Sequence, residues 1–149
     1  SKMMVLADIG YPSNGREMEE AILTWVEEIN SYPGKSIILV EGKKDITALK
    51  ELGIKKQIIK INKGLNLFDL ISSIKTGKLK DMDGSFHGTL IILTDWDRKG
   101  GMLASRLKKA CLHLDMDFDL QPRKDIASLT GKWIKDIESI PSFMSHLDA

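Results

Sequence analysis

The sequence predicts an α/β fold: a central, mostly parallel four-stranded sheet flanked by helices, with a helix before it and a helical tail after it. Two short runs, Ile37-Ile38-Leu39-Val40 and Leu90-Ile91-Ile92-Leu93, are apolar without alternation, which marks strands covered on both faces. Stretches with three- and four-residue apolar spacing separate these runs from each other and from two weaker strand-like runs. Strand and helix in succession imply parallel strands joined by right-handed crossovers. At 149 residues the chain has the size of one ordinary domain.

The elements follow in order. Residues 1–15, with Gly10, Pro12, Ser13, Asn14 and Gly15 close together, are expected to be a flexible lead. Residues 16–35 hold an N-terminal helix packing on the domain; Met18, Ala21, Ile22, Trp25, Val26 and Ile29 form its apolar stripe, and Pro33-Gly34 ends it. The core, residues 36–120, opens with a strand over 36–40, then a helix over 44–52 closed by Gly53 and a second strand over 56–61. Asn62-Lys63-Gly64 forms a turn, and residues 65–76 have helical spacing before a polar loop over 78–88. A third strand over 89–93 leads to a helix over 99–113, with Met102, Leu103, Leu107, Ala110 and Cys111 as its expected inner stripe. Residues 115–120 alternate Met116, Phe118 and Leu120 with acids, which suits an edge strand. The extension 121–149 is expected to carry short helices near 124–129 and 132–140, the second packing back on the sheet and stopped by Pro141. Trp25 and Trp133 are both expected in the core.

Composition narrows the function. The formal net charge is +1, so contact with nucleic acid has to come from a local basic patch rather than from bulk charge. Cys111 is the sole cysteine, which excludes an internal disulfide and fits a cytoplasmic protein. No apolar run is long enough to span a bilayer, and Asp8 interrupts the start before a signal-type apolar stretch develops. No internal repeat or low-complexity segment is present.

In open parallel sheets ligands bind beyond the carboxyl ends of the strands. Here two buried strands run straight into acids, one into Glu41-Gly42-Lys43-Lys44-Asp45 and the other, through Thr94, into Asp95-Trp96-Asp97-Arg98-Lys99-Gly100-Gly101. A carboxylate just past a buried strand is costly unless it is solvated, paired or bound to a cation. If strand geometry persists, Asp95 and Asp97 project to one side, and a hard divalent cation, Mg²⁺ or Mn²⁺, would relieve their repulsion. A carboxyl among carboxylates titrates closer to neutral pH until such a cation arrives. His87, His113, His146 and Cys111 show no ligand spacing for a softer metal. The competing reading is that Asp97 caps the following helix, and the two roles can coexist. Lys43, Lys44, Lys63, Arg98 and Lys99 lie on the strand-end loops as candidate phosphate ligands, a solvated surface being the alternative for each. Trp96 is expected to pack behind the acidic loop, with base stacking as the alternative.

These motifs resemble the Toprim family, the catalytic domain shared by topoisomerases, bacterial-type primases and certain nucleases. The resemblance rests on Glu41-Gly42-Lys43-Lys44-Asp45, then Asn62-Lys63-Gly64, then Asp95-Trp96-Asp97-Arg98-Lys99-Gly100, in that order over about residues 36–120. The overall shape is similar to small stand-alone archaeal Toprim proteins, related to the Toprim nuclease of ribosomal-RNA maturation. The resemblance implies a Rossmann-like Toprim fold. It makes Glu41 a general acid/base or metal ligand, and Asp95 and Asp97 the holders of Mg²⁺. Asp45 matches the last position of the first motif, though it also suits a helix's first turn, paired with Lys43 or Lys44. Gly42, Gly64 and Gly100 would let backbone approach phosphate, or simply form turns. Nuclease-type hydrolysis of RNA or DNA is the implied activity, within reach of protein partners in RNA or DNA processing. A non-catalytic binding module and primase-like nucleotidyl transfer are the alternatives. Tyr11 and Tyr32 fall in loop-like segments, which argues against a topoisomerase-type covalent tyrosine.

Overall fold

Why the chain folds as it does is clearest from its two fully buried strands. In the computed structural model, which describes residues 12–61, 64, 66–80 and 82–147, helix α1 (Gly15–Asn30) precedes strand β1 (Ser36–Val40), helix α2 (Lys43–Leu52), β2 (Gln57–Lys60), α3 (Leu67–Thr76) and β3 (Thr89–Ile92). Helix α4 (Arg98–His113), β4 (Asp117–Asp119), α5 (Gln121–Thr130) and α6 (Ile140–Ser145) complete the order. The expected lead falls mostly outside the described residues. Where it is described, Asn14 caps α1 by accepting the Glu17 N–H, so the helix starts one residue earlier than its spacing predicts.

All neighbouring strands pair in parallel, in the order β2-β1-β3-β4. The buried strands β1 and β3 are therefore central and adjacent, while the alternating β4 lies at an edge as predicted. From β1 the chain moves outward one way, and from β3 it moves outward the other way. That reversal is a topological switch point, where the crevice opens at the carboxyl ends of β1 and β3.

Alternate residues of the two strands divide the core in two. Ile38, Val40, Ile91 and Leu93 face α1, α2, α5 and the tail, with Ile22, Trp25, Leu49, Ile126 and Ile137. Ile37, Leu39, Leu90 and Ile92 face α3 and α4, with Leu70, Ile74, Leu107 and Cys111. The N-terminal helix is thus part of the main core rather than an appendage. Among the described residues no helix is long and apolar enough to cross a membrane.

Four expectations need correction. Residues 131–139 form turns, not a helix. Their backbone bonds outward instead: the Lys135 carbonyl accepts the Trp96 N–H at 2.8 Å, and the Ile134 carbonyl accepts the Trp96 indole N–H at 2.8 Å. Pro141 lies in the first turn of α6 and so opens a helix, where its missing N–H costs nothing. Trp133 is 55% exposed and Met102 59% exposed, so neither is core. The inner stripe of α4 is Gly100, Ala104, Leu107, Ala110 and Cys111, which turns Met102 outward.

Candidate functional site

At the switch point the two central strand ends are tied together by an acid. The Glu41 Oε2 accepts the Asp95 N–H at 2.9 Å, bridging β1 and β3 just beyond their last paired residues. Asp95 is half-buried, and its Oδ1 accepts the Ile137 N–H at 3.1 Å. Burial, and after it the negative charges of Glu41, Asp45 and Asp136, push its carboxyl up to about 7, against the pull of that hydrogen bond. Trp96 packs its ring against the core behind this loop, as expected.

Asp45 is only 6% exposed and sits in the first turn of α2, where its Oδ2 accepts the Gly42 N–H at 3.0 Å. Its cap on the chain's own backbone takes the place of the expected pairing with Lys43 or Lys44. Burial raises its pKa too, with Glu41, Glu138 and Asp136 adding to the effect. The tail supplies these last two acids. Its turns carry Ile137 to Asp95, hold Asp136 by an Oδ1 bond from the Ser139 N–H, and set Glu138 3.9 Å from the Lys44 ammonium. Glu41, Asp45, Asp95 and Asp136 are thus within electrostatic range of one another. Among the described residues no three histidine, cysteine, aspartate or glutamate side chains are grouped so as to hold a metal ion.

Asp97 behaves differently. The β3 ladder ends at Ile92, so strand geometry does not extend to it; it is the N-cap of α4, its Oδ1 accepting the Gly100 N–H at 2.7 Å. Gly100 is buried against the same loop. The Thr94 hydroxyl donates to its carbonyl at 2.8 Å, and a Cβ on Gly100 would overlap the Asp95 carbonyl. The close approach this glycine permits is therefore between two parts of this chain. We expect Gly100→Ala to cost about 3 kcal/mol by overpacking. Gly101→Ala, whose Cβ meets nothing nearer than the Arg123 guanidinium at 3.7 Å, should be neutral or gain up to about 1 kcal/mol of helix propensity. Urea midpoints decide: equal midpoints for the two variants would refute the packing role.

The sequence reading missed Arg123. From the first turn of α5, just past the end of β4, its Nε donates to the Thr94 carbonyl at 3.0 Å and its Nη2 to the Asp95 carbonyl at 2.8 Å. Burial lowers its pKa, while Glu41, Asp95 and Asp97 hold it up, which places its charge among the acids. Applying the strand-end rule to the fourth strand, and not only to the two apolar ones, would have found it.

The basic candidates frame this centre. Lys43 and Lys44 occupy the first turn of α2, and Arg98 and Lys99 the first turn of α4, all exposed. Gly42 is the N-cap of α2 in ordinary extended backbone, where a Cβ would meet only the Asp45 Oδ2 at 4.0 Å; Gly64 has φ of 89° and is a turn glycine. Lys63 lies outside the described residues.

The comparisons with known proteins agree with this architecture. The Toprim domain matches residues 36–128. A UPF0292 protein from Methanosarcina acetivorans is 32% identical over 138 residues, covering 92% of this chain and 86% of that protein. A UPF0292 protein from Methanosarcina barkeri is 31% identical over 133 residues, covering 89% and 86% respectively. A solved structure of an Aquifex aeolicus protein aligns with a TM-score of 0.58 at 25% identity, over 87% of this chain and 100% of that one. Toprim domains act on nucleic acids and generally bind Mg²⁺ through acidic residues. Since the match takes in all four strands and both acid-bearing strand ends, the chain belongs to the Toprim domain family.

Proposed function

We propose that this protein carries out Mg²⁺-dependent phosphodiester hydrolysis on nucleic acid, with Glu41 and Asp95 at its centre. One observation carries the reading: the acids stand at the switch point between two helix starts that are loaded with cations. Basic residues in a first turn oppose the helix dipole, by roughly 0.3–1 kcal/mol each. Lys43, Lys44, Arg98 and Lys99 all break that rule at one crevice. A local rule broken repeatedly at one place favours a functional reason, and anionic phosphate is the ligand that would repay it.

The donor chemistry fits magnesium. Mg²⁺ takes one or two carboxylates and completes its shell with water and phosphate oxygens, so an open acidic site suits it better than a closed cage. Asp95 would hold it, with Asp97 contributing beyond its capping bond, which leaves Glu41 for proton transfer. When bound, Mg²⁺ supplies charge neutralisation of the phosphate and polarisation of an attacking water. Glu41 exchanges a proton with water or leaving group, Lys43, Lys44, Arg98 and Lys99 orient the phosphates, and Arg123 fixes the Asp95 backbone.

The test is direct. Labelled structured RNA, single-stranded DNA and duplex DNA are incubated with the protein and Mg²⁺ or Mn²⁺. Cleavage is expected, and Glu41→Gln should slow it roughly 10²–10⁴-fold. Binding without cleavage of any substrate under either metal would sink the hydrolytic reading and leave a nucleic-acid-binding module.

A further inference from the structure

Helix α4 carries five cations, Arg98, Lys99, Arg106, Lys108 and Lys109, and no acid, in a protein whose formal net charge is only +1. Arg98, Met102, Arg106 and Lys109 recur at helical spacing, and all four are exposed. Among the described residues none of the five cations takes part in an ion pair. Arg98, Lys99, Met102, Leu103 and Arg106 line a shallow depression of about 390 Å³. This face begins at the acidic centre and runs away from it along the sheet's α3–α4 side.

We infer that the outer face of α4 is a binding track for the phosphodiester backbone of duplex nucleic acid, leading into the acidic centre. The inference rests on the proposed function and adds the kind of substrate. Lys109 lies eleven helical steps beyond Arg98, roughly 17 Å along the helix, which matches about five base-pair steps at roughly 3.4 Å each. Cations placed on that span read backbone charge. The helix has no Phe, Tyr or Trp, and proteins that hold single strands rely on aromatic side chains for stacking bases. The helix's one aromatic ring, His113 at the far end, is already met edge-on by Phe68 at a centroid distance of 5.3 Å. A cationic rod with no run of stacking rings along it fits a partner whose bases are already paired. Met102 lies between Arg98 and Arg106, where it supplies apolar contact to sugar without competing for phosphate.

The experiment compares Arg106→Glu/Lys109→Glu with Lys50→Glu/Lys55→Glu. The control pair consists of exposed cations on and just after α2, on the opposite face of the sheet, and carries the same change in net charge. Binding to a hairpin duplex and to an unstructured single strand is measured across a salt series. The α4 pair is expected to weaken duplex binding at least about tenfold and to flatten the log K–log salt slope by about 2, since each lost phosphate contact removes about 0.9. The control pair should change the slope by less than half of that. Equal effects from the two pairs, or none from the α4 pair, overturn the track while leaving the hydrolytic reading standing. A loss on the single strand as large as on the duplex overturns the assignment of duplex. A wild-type protein that binds no nucleic acid removes both readings. If the reversal impairs folding in a thermal melt, Arg106→Gln/Lys109→Gln should still lower the slope by about 2.

Discussion

Asp95→Asn is expected to make the metal-free protein more stable and at the same time to remove its activity. The carboxyl is pushed to about 7 first by burial and then by Glu41, Asp45 and Asp136. An unfolded aspartate titrates near 3.9. Between these values the folded state binds more protons than the unfolded one, so stability falls as pH rises through that window and is lowest above it. Asparagine carries no charge to repel, and its side-chain oxygen can still accept the Ile137 N–H. Solvent screening at a half-buried carboxyl limits the gain to about 1–2 kcal/mol at pH 8, or roughly 3–6 °C in melting temperature. At pH 4 the gain should vanish, because wild-type Asp95 is then protonated as well. Magnesium should reverse the order: ligand binding to the folded state stabilises the wild type but not the variant. Activity should fall roughly 10²–10³-fold, the scale of losing one electrostatic stabiliser. Thermal melts at pH 4 and 8, with chelator and with Mg²⁺, check this. A variant that melts below wild type at pH 8 in chelator would show that Asp95 is not under repulsion.

What the sequence made legible was whatever local pattern controls. Uninterrupted apolar runs placed β1 and β3 at the centre of a parallel sheet, and the acids following them placed Glu41 and Asp95 at the crevice. The pattern gave less where the outcome depends on partners distant in the chain. Asp97 was expected to share a strand face with Asp95, but β3 stops at Ile92 and the chain turns, so Asp97 caps α4. Ile134, Ile137 and Ile140 recur at a spacing that imitates a helix. Their segment instead spends its backbone groups on Trp96 and Asp95, some forty residues earlier, and no spacing reveals such bonds. Trp133 is carried outward with those turns, against Phe143 at a centroid distance of 5.8 Å. Asp136 enters the acidic group by the same route. On α4 the stripe was read correctly at Leu107, Ala110 and Cys111 but took in Met102 from the opposite face: the buried line runs on through Ala104 and Gly100, small residues at the sheet-facing positions that were passed over for the larger Met102.

The largest effect on the scaffold is expected from Arg123→Ala. Its guanidinium gives one N–H to the Thr94 carbonyl and another to the Asp95 carbonyl. Truncation leaves two partly buried acceptors without a donor, which should cost about 2–3 kcal/mol. A second cost depends on pH. Arg123 is a part-buried cation among Glu41, Asp95 and Asp97, and its removal leaves their repulsion less opposed. The penalty should therefore be larger at pH 8, where Asp95 is ionised, than at pH 5, where its carboxyl near 7 is mostly protonated. Arg123→Lys separates the two contributions. Lysine restores the charge but cannot reach both carbonyls with a planar fork, so it should recover the pH-dependent part and little of the rest. Urea midpoints for the three proteins at pH 5 and pH 8 give the answer. If alanine costs the same at both pH values, Arg123 is only a backbone strut; if lysine matches wild type at both, the two-pronged grip on Thr94 and Asp95 is dispensable. A cost that grows with pH and is met halfway by lysine would show one side chain fixing the strand-end loop and neutralising the acids it carries.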